Sequence, residues 1–114
     1  MESIHRDMTL LISTDRGGTF RTKSVAPWEL NACPMSTAYL SEGGQRVLAA
    51  WETAGQVYFD EIAPDSLRLV PSVAAPGEGA KRKHPALAAN ANGLVLLAWA
   101  EGTGWQKGGF LAAF

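Results

Sequence analysis

An all-β fold is what this sequence predicts, and three observations predict it. Glycines and prolines interrupt the chain too often for long helices, and the runs between them are short and rich in Val, Leu, Trp, Tyr and Phe. One of these runs passes into the next across a Gly-Gly turn, and the whole pattern then restarts about fifty residues later.

The elements follow in chain order. Met8 to Ser13 is an extended run, and Asp15-Arg16-Gly17-Gly18 turns it into Thr19 to Val25, whose polarity alternates as a hairpin strand should. Met35 to Leu40, Arg46 to Glu52 and Gln56 to Ile62 read as three more strands, separated by the turn-like Ser41-Glu42-Gly43-Gly44-Gln45 and Thr53-Ala54-Gly55. Pro64-Asp65-Ser66 then leads into a fourth short piece, Leu67 to Val73, and a loop runs from Ala75 to Lys83. After it come Pro85 to Asn90, the turn Ala91-Asn92-Gly93, Leu94 to Glu101, a Gly/Trp loop, and Gly109 to Phe114.

Self-comparison makes the restart explicit. Cys33-Pro34-Met35 and Val47-Leu48-Ala49-Ala50-Trp51-Glu52 lie over His84-Pro85-Ala86 and Val95-Leu96-Leu97-Ala98-Trp99-Ala100-Glu101, offset by 51 residues at the prolines and 48 at the tryptophans. A period near 50 made of short antiparallel strands is the mark of propeller blades, four-stranded sheets that hide their faces only by stacking on one another. Alanines ahead of each Trp suit a place where neighbouring sheets approach closely and an indole fills the wider gap. An unrepeated β-sandwich is the plain alternative. The expected architecture is therefore part of a β-propeller, about two to two and a half four-stranded antiparallel blades: residues 1–27 the end of a first, 28–76 a complete second, and 77–114 most of a third. A closed ring needs about four to eight blades, so further blades of a longer chain, or identical copies, are the expected partners.

Composition excludes several function classes. With 10 Lys+Arg against 11 Asp+Glu, the formal charge of -1 offers no positive field for a phosphate backbone, so nucleic acid is not an expected partner. No apolar run approaches the roughly 18 residues that span a bilayer as a helix, and the opening Met1-Glu2-Ser3-Ile4-His5-Arg6-Asp7 does not read as a signal peptide. The single cysteine, Cys33, rules out an intrachain disulfide framework and a multi-cysteine metal centre, so neither metal nor cofactor is expected. At Cys33, a packed and unreactive thiol is the expected state.

The first hairpin turn carries the most specific motif. Ser13-Thr14-Asp15-Arg16-Gly17-Gly18-Thr19-Phe20 reads Ser-x-Asp-x-Gly-x-Thr-Phe, and so resembles the Asp-box, or BNR repeat, of the sialidase-like β-propeller family. Its physics is turn chemistry. The Asp15 carboxylate can accept backbone N–H bonds, Gly17 permits positive φ, the Ser13 and Thr19 hydroxyls can close the loop, and Phe20 is expected to tuck between sheets. The resemblance implies that this box joins the third and fourth strands of a blade and lies on the end opposite the ligand face. That makes Asp15 structural rather than catalytic.

Antiparallel alternation then selects the ligand-facing end: the loops Ala26 to Met35 and Ala75 to His84, and the turns Glu52 to Gln56 and Glu101 to Gly108. Aromatic faces beside amides, acids and bases are what a sugar site uses, which singles out Trp28, Gln56, Arg82, Trp105 and Lys107 as ligand-binding candidates. Glu52 and Glu101 read as repeat-equivalents ending neighbouring strands, so a carboxylate pair of the kind glycoside hydrolysis needs is the catalytic candidate; two acids ending strands in water is the ordinary alternative. The resemblance implies an arginine triad, a Tyr-Glu nucleophile pair and an Arg-Ile-Pro motif for a working sialidase, and none of these maps onto this chain. The expectation is therefore a propeller segment that binds glycan, with hydrolysis a property of a longer protein if it occurs at all. A non-catalytic protein scaffold and a lectin that oligomerises to close its ring are the alternatives.

Overall fold

The computed structural model describes residues 4–33, 37–43, 45–62, 73–77, 81–102 and 109–113. These form antiparallel β-sheets, with no helix among the described residues. β1 (Met8–Ile12) and β2 (Arg21–Ala26) make a first hairpin. β3 (Ala38–Gly43), β4 (Arg46–Thr53), β5 (Gln56–Ile62) and β6 (Val73–Ala74) make a central four-stranded sheet in sequence order. β7 (Lys83–Ala89), β8 (Val95–Glu101) and β9 (Gly109–Ala113) make a third sheet, again in sequence order.

Local chemistry explains each reversal. In the first turn, Arg16 at φ 58° and Gly17 at φ 87° supply the left-handed backbone, and the Asp15 carboxylate collects the loop. Ala54 at φ 52° and Gly55 at φ 82° give the two-residue turn between β4 and β5, where positive φ at both positions matches the twist of the strands. Asn90 closes the turn from β7 to β8, its Oδ1 accepting the N–H groups of Asn92 and Leu94.

One boundary differs from the sequence reading. β3 begins at Ala38 and runs on through Gly43, which pairs with Arg46, so the turn-like stretch from Ser41 is mostly strand. The reason is a close approach: a Cβ on Gly43 would lie 2.6 Å from the Cβ of Ala89, so only glycine lets this end of β3 sit against β7. The expected piece Leu67 to Val73 falls almost entirely outside the described residues, and β6 begins at Val73.

The core lies between the central and third sheets. Leu48, Ala50, Val57 and Ala75 meet Leu87, Leu97 and Trp99, with Phe59, Ala89 and Val95 packed around them. Alternation along β4 sends Leu48, Ala50 and Glu52 to this face, while Ala49, Trp51 and Thr53 point the other way. Leu48 and Leu97 are nearly fully enclosed, a burial worth roughly 1.5–3 kcal/mol apiece. On the opposite face of the central sheet, Trp51 stacks on its register partner Tyr58 at 6.1 Å.

The first hairpin stands apart from this core. It is extended by an irregular pairing in which Leu30 N–H donates to Ile4 O, Arg6 N–H to Trp28 O, and Trp28 N–H to Asp7 Oδ1. Between β1 and the central sheet lies an apolar cleft of about 270 Å³, walled by Met8, Leu10, Ala38, Leu40, Ala49 and Trp51 among others. Phe20 does not tuck between sheets as expected. It is 57% exposed, with its ring over its own turn near Gly17.

Candidate functional site

Where β4 turns into β5, the connections from β6 to β7 and the end of β8 converge, and four of the candidate residues meet there. Arg82 organises the cluster. It has no exposed surface, and its guanidinium donates inward: Nε to Glu101 Oε1 at 2.6 Å, Nη1 to Gln56 Oε1 at 3.0 Å and to Ala75 O at 2.7 Å, Nη2 to Pro76 O at 2.8 Å. Its backbone N–H donates to Gly55 O, and its guanidinium lies 5.2 Å from the Trp99 ring centroid, within cation–π range. The loop bends sharply to set it there, with Lys81 at φ 57° and His84 at φ 54° on either side.

Glu101 is pinned from two directions, by Arg82 and by the indole N–H of Trp99 at 3.0 Å. The Trp99 bond first, and then the Arg82 charge and bond, hold the Glu101 carboxyl below the ordinary carboxylate range, against a partial burial that would raise it. Glu52 is 2% exposed; its Oε1 accepts the Gly55 N–H, and its Oε2 has no partner. Both acids thus face the junction of the central and third sheets, from opposite sides.

They do so for a reason that corrects their expected equivalence. Glu52 directly follows Trp51, whereas Glu101 stands two residues beyond Trp99, so alternation puts them on opposite faces of their own sheets. The residue in Glu101's position is Thr53. Neither acid ends its strand in open water, since Glu52 is enclosed and Glu101 is held by Arg82.

Other candidates are placed elsewhere. Trp28, half-buried, belongs to the first hairpin through Asp7 and Arg6. Trp105 and Lys107 lie outside the described residues. Cys33, expected to be packed, is an exposed free thiol, and His84 Nδ1 lies 3.4 Å from Thr37 Oγ1 across the two inter-sheet loops. Sequence reasoning passed over Trp99 as a partner of Glu101, although the signal was there: residues two apart on a strand share a face. The backbone carbonyls of Ala75 and Pro76 left no trace in side-chain types.

Chemically, the cluster is a clamp: the Glu101 carboxylate is bound by Arg82 and by the Trp99 indole, and the enclosed Glu52 carboxylate accepts from the Gly55 N–H. Arg82, proposed for ligand contact, is here spent on internal acceptors.

The Asp15 turn is closed by its own groups. Ser13 Oγ–H donates to Asp15 Oδ1 at 2.8 Å, the N–H groups of Asp15 and Gly17 donate to Ser13 Oγ, and Thr19 donates through N–H to Oδ1 and through its hydroxyl to Oδ2 at 2.6 Å. The Thr19 hydroxyl and N–H, with Ser13, lower the Asp15 carboxyl to about 2 from an ordinary 3.8. Comparison of the chain with family models, with curated proteins and with solved structures returns no match.

Proposed function

We propose that this chain is a segment of a sialidase-like β-propeller and that its part in the molecule is glycan binding without turnover. The observation that carries the reading is the Ser13-to-Phe20 turn, whose motif and bonding both fit an Asp-box: the Ser13 and Thr19 hydroxyls and the Asp15 carboxylate are used to fix the loop itself. In this reading β1 and β2 are the third and fourth strands of one blade, the central sheet is a whole blade, and the third sheet is the first three strands of the next. On the sequence alternation the glycan face carries Trp28 and Gln56, with Trp105 and Lys107 as its further candidates in sequence. Arg82 serves that face by holding the Gln56 turn and the preceding loop in place, not by touching sugar. Support for binding over hydrolysis comes from Glu101 and Glu52, one tied up and the other enclosed.

The test pairs a glycan panel with fluorogenic glycosides. Expected is saturable binding to one sugar class, weakened about tenfold or more by Trp28→Ala through loss of a stacking face, with no release of fluorophore. Release of fluorophore that is lost in Glu101→Gln would replace binding by hydrolysis; silence across the panel would favour the scaffold reading.

A further inference from the structure

The cleft between the first hairpin and the central sheet has an apolar wall and two buried donors on one side of it. Met8, Leu10, Leu40, Ala49 and Trp51 are among the residues around its space of about 270 Å³, and none of the side chains that wall it is charged. On the face of β4 that Ala49 and Trp51 share with Thr53, the Trp51 indole N–H and the Thr53 hydroxyl have no hydrogen-bond partner, although Trp51 is 3% and Thr53 8% exposed. Enclosed polar groups without partners are rare and cost free energy. Two on one strand face, beside one cavity, point to an acceptor that comes from outside the chain.

The other side of the central sheet shows what kind of group fits. In the closed junction, between the central and third sheets, the Trp99 indole N–H donates to Glu101 Oε1 at 3.0 Å and Arg82 balances the carboxylate charge. In the open one, at the cleft, the shorter Thr53 stands in Glu101's position, so the strand itself brings no carboxyl to the Trp51 indole. Asn31 stands in Arg82's position, so the repeat brings no guanidinium there to balance an anion. Asp60, the register partner of Ala49, lies buried on the same face, and a carboxylate ligand would add a second negative charge beside it. The acceptor that suits this place is therefore a neutral carbonyl oxygen, whose two lone pairs can take both donors.

We infer that the cleft is a binding site for a small uncharged molecule with one carbonyl group on an apolar body. Size sets the body. A cavity of about 150 Å³ holds benzene and pockets for drug-sized ligands begin at about 300 Å³, so this cleft takes one ring with a short acyl group. The ring packs among Leu10, Leu40 and Ala49, and the carbonyl oxygen accepts from Trp51 and Thr53. Both donors are covered, so a side chain beside them turns as the ligand enters, a rotamer change of the kind binding surfaces commonly make, while the first hairpin stays in place as the far wall. The inference stands on the cleft and its two donors and draws on neither the propeller nor the glycan reading.

Acetophenone and α-methylstyrene, which carries =CH2 where acetophenone carries =O, test it on the full chain. Binding is followed by proton–nitrogen NMR, with the Trp51 indole signal assigned through Trp51→Phe. Expected is saturable binding of both probes, with acetophenone alone moving the Trp51 indole N–H signal downfield. Thr53→Val should weaken acetophenone about fivefold and leave α-methylstyrene unchanged. Because that variant removes an unpartnered hydroxyl, it should be no less stable than the wild type, and lost folding would not account for the change. Ala49→Leu, which fills the cleft, should weaken both probes, with circular dichroism checking its fold, and benzoate should bind less tightly than acetophenone. An indole signal that acetophenone leaves in place would overturn the inference. So would a Thr53→Val chain that holds acetophenone as tightly as the wild type or loses both probes alike, an Ala49→Leu chain that folds and still binds both, or a preference for benzoate.

Discussion

Between the central and third sheets, Arg82 spends its donors on acceptors from Glu101, Gln56 and two carbonyls, and Gly43 lies hard against Ala89. Between the first hairpin and the central sheet, the Trp51 indole N–H and the Thr53 hydroxyl are buried without partners, and Leu11 and Leu40 remain exposed at the cleft. The same repeat underlies both junctions. Trp51 takes the place of Trp99, but Thr53 stands where Glu101 does, and in the register of Pro34 on Pro85, Asn31 stands where Arg82 does. One pair of substitutions thus marks the difference between the junctions: at the positions of Glu101 and Arg82 stand Thr53 and Asn31, and the Trp51 indole N–H has no carboxylate to bond.

The comparison breaks most visibly at the clamp itself. Arg82→Met should cost about 3–5 kcal/mol, because Glu101 is left as an uncompensated charge and two carbonyls lose their donor. In a small domain with about 5–15 kcal/mol of total stability, urea denaturation should show the midpoint collapse. Gly43→Ala should come next, at about 1–3 kcal/mol, since the added methyl has only 2.6 Å to the Ala89 Cβ. Ala89→Gly in the same chain should return part of that loss, and a cycle with no coupling would mean that the strands part freely here.

How much of this was legible beforehand follows from where the information sits. The strands and turns were readable because Gly17, Gly55 and Gly93 mark reversals and the apolar residues alternate between them. The Asp15 turn was readable down to its bonds because all its partners lie within a few residues. The clamp was readable only as a set of names, Glu52, Gln56, Arg82 and Glu101, since their meeting depends on strands up to dozens of residues apart coming into register. The expected equivalence of Glu52 and Glu101 failed on one residue of spacing after Trp, which reverses the face. Phe20 and Cys33 failed for the same reason as each other: both were assigned neighbours that the described residues do not bring to them.

A smaller effect sharpens the comparison from the open side. Thr53→Val replaces a buried hydroxyl that has no partner by a methyl of the same shape, so the desolvation of that hydroxyl is no longer a cost and stability should rise by about 1 kcal/mol. In the closed junction no such gain is available, and Trp99→Phe, which removes the donor to a charged carboxylate at an enclosed site, should cost about 1.5–3 kcal/mol in the same denaturation assay. Should Thr53→Val destabilise instead, the hydroxyl has a partner in solution and the open junction is tighter than its bonding shows.

The most local effect belongs to Asp15, which ties only its own turn. Its carboxyl titrates at about 2 in the folded chain against 3.8 ordinarily, so the ionised form is the one the turn prefers. The contribution is present in full above 3.8 and is lost as pH falls through about 2, the direction expected for a depressed acid. Amide hydrogen exchange followed down this window should show the Gly17 and Thr19 N–H groups losing protection, since Thr19 N–H bonds the carboxylate and Gly17 N–H bonds the Ser13 oxygen that the carboxylate holds. Asp15→Asn should reproduce that loss at neutral pH and abolish its pH dependence. Because the first hairpin is separated from the core by the cleft, the amides of β8 should keep their protection in the same experiment. A parallel loss in β8 would mean that the turn supports the whole stack of sheets, and the contrast between the two junctions would have to be redrawn.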